Sequence, residues 1–156
     1  MKVAVIGVGN DLMGDDAIGP IVIRNLRKLN KFPPNVELIE EGTGGMRIIH
    51  DMEGYDKVLI IDAANIERAP GEYKMFRPED VVSKKVLSGR SIHEMDLLKA
   101  LELALLTGNA PPVIWIMAIQ PRITVMGAPV SYDVKTNIKE YIRVVILKVF
   151  DMMNEK

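Results

Sequence analysis

Short apolar runs alternate with helical patterns along this chain, and this alternation restricts the fold more than any other feature. Strand-like runs occur at Lys2–Gly7, Asn35–Glu40, Lys57–Asp62 and Pro112–Gln120, and a weaker one starts at Glu72. Most lack a clean apolar–polar alternation, which is typical of strands covered on both faces. The pattern therefore predicts a three-layer α/β/α sandwich around a mostly parallel sheet.

Helical spacing of apolar residues recurs between these runs. It is seen from Ile18 to Leu29 and from Leu97 to Leu105, and the closing segment from Tyr132 to Met153 is typical of one long helix. No internal repeat, low-complexity segment or linker interrupts the 156 residues. We therefore expect residues 1–156 to form a single domain.

Composition excludes several classes of function. The chain has no cysteine, which removes disulfides, thiolate metal sites and a cysteine nucleophile. Its formal net charge is −1 and its basic residues are scattered, so no nucleic-acid partner is expected. The apolar runs are far shorter than the roughly 20 residues that span a bilayer. We expect a cytoplasmic protein without membrane insertion.

In parallel sheets, chemistry collects beyond the carboxyl ends of the strands. The loop from Gly7 to Asp16 could be a nucleotide-phosphate loop, because it begins Gly-x-Gly. However, Leu12 occupies the third glycine position of the dinucleotide fingerprint, and no Gly-Lys-Ser/Thr follows. Asp15 and Asp16 would also neutralise the positive helix end that binds phosphate. A nucleotide site is therefore rejected.

The two aspartates have different expected roles. Asp15 is expected to cap the following helix, as aspartates commonly do. That helix is expected to begin near Ile18 or Gly19, because Pro20 suits only a first helical turn. Asp16 then lies on the preceding loop, where its carboxylate is available to a cation.

Two further groups complete a candidate metal-binding set. Asp62 ends a buried strand and is followed by small residues. His93 follows Ser91 in a capping box closed by Glu94, where the positive helix end favours a neutral imidazole. Two carboxylates and one imidazole suit Ni, Zn, Mn or Co. His50 has the position of a helix C-terminal residue and is given no catalytic role. Neither H-E-x-x-H nor G-x-S-x-G occurs.

Four stretches carry a resemblance to a known family. They are "GVGNDLMGDDAIG", "EGTGG", "IIDA" around Asp62 and "SIHEMDL" around His93, with a weaker one at Ile119–Ser131. In this order they resemble the endopeptidases that mature [NiFe]-hydrogenases by trimming the large-subunit precursor. The resemblance implies a five-stranded, partly mixed sheet, a monomer, and removal of a C-terminal peptide after nickel insertion.

The resemblance also implies site residues. The metal-binding and catalytic residues correspond to Asp16, Asp62 and His93, and residues expected to contact the substrate are Gly9, Asn10, Gly42, Thr43 and Gly44. Two positions depart from the family pattern. An acid that is often Asp is Glu40 or Glu41 here, and Ala17 replaces a frequent Gly.

Three mechanisms follow from this set. The acids and the imidazole complete the coordination of nickel brought by the precursor, so that the resting enzyme holds no metal. Alternatively, a metal bound here activates water, or Asp16 or Asp62 acts as a general base without metal. The competing function is a non-catalytic assembly factor that holds the nickel-loaded large subunit without cutting it.

Overall fold

Five strands form one sheet in the computed structural model, which describes residues 1–42, 47–82 and 101–155. They are β1 (Val3–Val8), β2 (Val36–Glu41), β3 (Lys57–Ala63), β4 (Tyr73–Phe76) and β5 (Val113–Ile119). Their order is β2-β1-β3-β5-β4. All neighbours are parallel except β4 and β5, which are antiparallel. The predicted α/β class and the mostly parallel, partly mixed sheet are confirmed.

Helices follow most of these strands. In chain order they are α1 (Ile18–Leu29), α2 (Arg47–Met52), α3 (Pro78–Val82), α4 (including residues 101–107), α5 (Tyr132–Lys135) and α6 (Ile138–Asn154), and a single 3-10 turn at Gly14–Ala17 precedes α1. The predicted start of α1 at Ile18 is confirmed. The predicted helix around Leu101 is confirmed for residues 101–107, while Leu97 lies outside the described residues.

The single long helix predicted from Tyr132 to Met153 is wrong, because the chain breaks between α5 and α6. At the end of α5, the Thr136 hydroxyl donates to the Tyr132 carbonyl at 2.9 Å, and the Asn137 side-chain amide donates to the Asp133 carbonyl at 2.7 Å. These side chains compete with the backbone for helical acceptors. The apolar period continues through the break, so the pattern alone did not reveal it.

The sheet separates two apolar cores. Alternate residues of the central strands face α1 and α6 on one side, as Val5, Leu59 and Ile61 do. The intervening residues, such as Ile6 and Ile60, face α2 and α4 on the other. Since side chains alternate across a strand, a strand buried on both faces must be apolar at nearly every position. This explains the dense apolar runs of the sequence.

Two glycines bring α1 very close to the sheet. A Cβ atom on Gly19 would lie 2.4 Å from the Val8 carbonyl oxygen and 2.7 Å from that of Ile61. A Cβ atom on Gly7 would lie 2.3 Å from the Gly19 carbonyl oxygen. All three distances are too short for a real Cβ atom, so both positions require glycine. The amino end of α1 therefore rests directly on the carboxyl ends of β1 and β3.

Candidate active site

The carboxyl ends of three adjacent strands form the candidate site. β1 lies between β2 and β3, with Gly7 paired to Ile61 and Val8 paired to Glu41. Asp62 follows Ile61 directly and is only 2% exposed. The 3-10 turn that carries Asp16 contacts β3. The two carboxylates predicted for the site therefore lie on neighbouring elements at the carboxyl end of the sheet, although Asp16 and Asp62 are far apart in the chain.

The loop after β1 turns sharply at Gly9. Its φ is +153°, and a Cβ atom here would lie 1.8 Å from the Asp16 carbonyl oxygen. This close approach lets the Asn10 backbone N–H donate to the Asp16 carboxylate at 2.9 Å. The Asn10 side-chain oxygen accepts the Leu12 N–H at 2.9 Å. We expected Asp16 on a loop with its carboxylate free; instead, it lies in a 3-10 turn, and one of its carboxylate oxygens accepts a backbone N–H.

Asp15 is not a helix cap, contrary to the expectation from sequence. It is fully buried, and one of its carboxylate oxygens accepts the backbone N–H groups of Arg122 at 2.8 Å and Ile123 at 3.1 Å. The Ser131 N–H and hydroxyl also donate to this carboxylate, at 2.7 and 2.8 Å. The cap of α1 is Ala17, whose side chain makes no capping bond. Asp15 instead binds a segment more than one hundred residues away.

Backbone hydrogen bonds join the same two loops. The Asp15 N–H donates to the Ile123 carbonyl at 2.7 Å, the Gly14 N–H to the Ala128 carbonyl at 3.1 Å, and the Gly127 N–H to the Leu12 carbonyl at 2.7 Å. The segment of residues 121–131 therefore lies directly beside the turn that carries Asp16. This segment is the larger part of the weaker sequence motif, Ile119–Ser131.

The end of β2 carries a second buried carboxyl group. Glu41 is 6% exposed, and its burial, together with a hydrogen bond to Asp51, raises its pKa to about 7, while Arg47 opposes the shift. Glu40 faces the other way and pairs with the exposed Arg24 and Arg27. The Glu41–Asp51 pair was not predicted from the sequence, because nothing in the helical pattern around Asp51 indicates a carboxyl partner.

The remaining predicted site residues are only partly described. Gly42 is exposed after β2, whereas Thr43, Gly44 and His93 lie outside the described residues. Within residues 1–42, 47–82 and 101–155, no three or more histidine or acidic side chains lie close enough together to hold a metal ion. The set of Asp16, Asp62 and His93 stays a prediction. His50 lies exposed in the last turn of α2, beside Glu53.

The helices themselves give one further finding. Among those in the described parts of the chain, none combines the length and the apolar character that crossing a bilayer requires.

Comparison with known protein sequences identifies relatives over most of the chain. A family model described as "HycI: Hydrogenase maturation protease" matches residues 20–148. The hydrogenase 2 maturation protease of Escherichia coli K12 is 32% identical over 125 residues, which cover 78% of this chain and 74% of that protein. The hydrogenase expression/formation protein HoxM of Cupriavidus necator is 31% identical over 119 residues, covering 76% of this chain but only 59% of its own length.

Comparison with solved structures identifies the same family. The hydrogenase maturating endopeptidase HybD from E. coli matches with a TM-score of 0.86 and 27% identity, over 97% of this chain and 94% of that chain. The [NiFe] hydrogenase maturation protease HybD from Thermococcus kodakarensis matches with a TM-score of 0.73 and 26% identity, over 93% and 97%. With the fold, the family match and these relatives in agreement, the chain belongs to the hydrogenase maturation protease family, a family of peptide hydrolases.

Proposed function

We propose that this protease removes the C-terminal peptide of a [NiFe]-hydrogenase large-subunit precursor and that Asp16, Asp62 and His93 recognise the nickel that the precursor carries. One observation supports this most directly. The turn that bears Asp16 packs against β3, the strand that carries the buried Asp62 at its end. The metal belongs to the substrate in this proposal, so the enzyme needs no metal of its own at rest.

The close contact of α1 with the sheet supports a defined carboxylate geometry. Gly19 rests on the carbonyls of Val8 and Ile61, and Asp16 lies three residues before it in the chain. The hydrogen bond from the Asn10 N–H further orients one Asp16 oxygen. Groups held on rigid elements bind a ligand with a smaller loss of conformational entropy than groups on a mobile loop.

The chemistry of the donors suits a divalent transition metal. Carboxylate oxygens and an imidazole nitrogen together suit Ni, Zn, Mn or Co. A buried carboxylate such as Asp62 is poorly solvated, so a cation beside it is stabilised more than it would be at the exposed surface. His93 enters this set through the family resemblance and its expected place early in a helix.

Nickel recognition provides discrimination between precursors. A precursor without nickel offers the two acids no cation, and it therefore binds more weakly or out of register with the scissile bond. Two routes to hydrolysis are compatible with this recognition. Either metal coordination lowers the pKa of the attacking water, or one of the carboxylates acts as the general base. Turnover that survives a strong chelator would favour the general base.

A cleavage assay on the precursor, read by mass spectrometry, tests the proposal. We expect the nickel-loaded precursor to lose its C-terminal peptide and the unloaded precursor to remain intact. Asp16→Asn should abolish cleavage while its circular dichroism spectrum matches that of the wild type. Asp11→Asn is the matched control, because Asp11 lies in the same loop but is exposed and paired with Arg24. Its cleavage rate should be close to that of the wild type.

Other results would separate the parts of the proposal. Equal cleavage of both precursors would retain the protease and remove nickel recognition. Binding of the loaded precursor without cleavage would indicate an assembly factor. Normal turnover by Asp16→Asn would exclude Asp16 from the mechanism. The proposed enzyme is a cytoplasmic monomer, and gel filtration of the purified chain tests its monomeric state.

A further inference from the structure

We infer that four exposed apolar side chains beside the candidate active site form a docking surface for the folded part of the hydrogenase precursor. The docking surface consists of Leu12, Ile123, Val125 and Met126. This inference rests on the proposed function and deepens it, because it assigns recognition of the precursor's folded body to residues other than the metal-binding set. Its partner is the apolar surface of the precursor next to the C-terminal peptide.

The exposure of these side chains is the first observation. Leu12 is 64% exposed, Val125 65%, Met126 61% and Ile123 40%. Isolated exposed apolar residues are common, but a group of large ones on adjoining loops marks a surface that another molecule covers. Here the loops adjoin directly, since the Gly127 N–H donates to the Leu12 carbonyl at 2.7 Å.

The docking surface is also held firmly. The buried Asp15 carboxylate accepts the N–H groups of Arg122 and Ile123, at the start of the segment, and two bonds from Ser131 at its end. The apolar residues between these anchors are therefore presented by a loop whose two ends are attached to the Asp16 turn. A preorganised surface loses little entropy on binding, which favours a role in recognition.

Two arginines near the docking surface form ion pairs within the chain. Arg122 forms an ion pair with Asp133, which lowers the pKa of that carboxyl group. Arg24 pairs with Asp11. Among the described residues, these two arginines are already paired, and the four exposed side chains are themselves apolar. The surface is therefore complementary to an apolar protein patch.

The position of the docking surface determines its occupant. Leu12 lies only four residues before Asp16, in the same loop. When a peptide bond of the precursor reaches Asp16, the adjacent folded part of the precursor therefore lies over the docking surface. A stable protein interface buries about 800 Å² on each partner, and the docking surface adds contact area beyond the residues that hold the C-terminal peptide. The precursor's folded body provides the additional contact.

The test measures how lysine variants of this protein bind and cleave the nickel-loaded precursor. The double variant Val125→Lys/Met126→Lys changes the docking surface, and Leu147→Lys is the matched control, because Leu147 is 57% exposed on α6. We expect the double variant to raise KM and the Kd for the precursor by about tenfold or more, with kcat unchanged. The control should change neither constant. Leu12→Lys, on the other loop, should repeat the effect.

Separate readouts of binding and cleavage distinguish the two proposals. If the wild type cleaves and the double variant keeps wild-type KM and Kd, the docking surface is refuted while the protease remains. If the wild type binds the precursor without cleaving it and the double variant loses binding, the docking surface is supported and the protease is not. A wild-type dimer that the double variant converts to a monomer would overturn the inference, since the surface would then join two copies of this chain. Equal melting temperatures confirm that each variant is folded.

Discussion

Two corners at the carboxyl end of the sheet each bury a carboxyl group, and the two groups have opposite kinds of hydrogen-bond partner. At the corner between β1 and α1, Asp15 is fully buried and accepts four hydrogen bonds from N–H and O–H donors. At the corner between β2 and α2, Glu41 is nearly as buried but faces a second acid, Asp51. Its cationic neighbour, Arg47, is exposed and its closest contact with Glu41 is 3.9 Å.

The comparison shows that donors, and not burial alone, decide what a buried carboxyl group does. Burial disfavours the charged form of any acid, and hydrogen bonds from N–H groups restore it. Burial raises the pKa of Glu41 to about 7, and its hydrogen bond to Asp51 adds to this shift. Asp15 has N–H and O–H donors in place of a second carboxyl group. The first corner is therefore a structural anchor, whereas at the second corner Glu41 gains or loses a proton near neutral pH.

Removing the anchor should have the largest effect on stability. Asp15→Ala leaves several buried N–H groups of residues 122–131 without their acceptor, and we expect it to lower the free energy of unfolding by about 4 kcal/mol. Urea unfolding followed by circular dichroism measures this loss. Asp16→Ala is the control on the adjacent, half-buried residue and should lose much less. Similar losses in the two variants would contradict the distinction between anchor and site.

At the second corner, replacing the buried acid should raise the free energy of unfolding instead of lowering it. The unfolded chain loses the Glu41 proton near pH 4.5, whereas the folded protein retains it up to about pH 7. The unfolded state thus binds fewer protons in this window, and this group's contribution to stability is lost as pH rises through it. Glu41→Gln should therefore stabilise the protein by about 3 kcal/mol at pH 8 and have little effect at pH 4. Urea unfolding at both pH values tests this.

Glu40→Gln provides the control for the second corner. Glu40 is the neighbouring residue, but its carboxylate pairs with Arg24 and Arg27 in a partly exposed position. Its replacement should lower stability slightly at pH 8 and should not raise it. If Glu41→Gln has the same effect at pH 4 and pH 8, the raised pKa of Glu41 is wrong.

A smaller effect is expected from the hydroxyl group of the anchor. In Ser131→Ala, Asp15 loses one of its donors, at 2.8 Å, and α5 loses the N-cap oxygen that accepts the Val134 N–H. We expect a loss of about 1 to 2 kcal/mol in the free energy of unfolding. Thr136→Ala, which removes an exposed hydroxyl at the end of α5, should cost less. Equal losses would mean that the Asp15 contact adds nothing to the cap.

The smallest effect is expected from the Arg122 side chain. Arg122→Gln removes an exposed ion pair with Asp133 but keeps the backbone N–H that donates to Asp15. Exposed ion pairs contribute little, so the unfolding midpoint in physiological salt should match that of the wild type. The pKa of Asp133 should return towards its ordinary value, which NMR titration can follow. A large loss of stability would show that the side chain of Arg122, and not its backbone N–H, provides the stabilising contact.

The sequence by itself determined the architecture. Apolar residues at nearly every position of the runs that form β1, β3 and β5 require cover on both faces, and a sheet between two helical layers provides it. The same reasoning placed Asp62 at the end of a buried strand, and Pro20 placed the start of α1 near Ile18 or Gly19; the structure agrees with both. It failed between α5 and α6, because the apolar period continues across a break that the side chains of Thr136 and Asn137 make.

Only the tertiary structure decided the roles of the acids at the sheet edge. Asp15 and Asp16 are identical neighbours in the sequence, and local rules made the first a cap and the second a loop residue. The partners of Asp15 lie more than one hundred residues away, and Asp51 reaches Glu41 only after α2 packs beside β2. Local patterns report what a backbone segment prefers, whereas the pKa and hydrogen bonds of a buried carboxyl group depend on whatever the fold places against it.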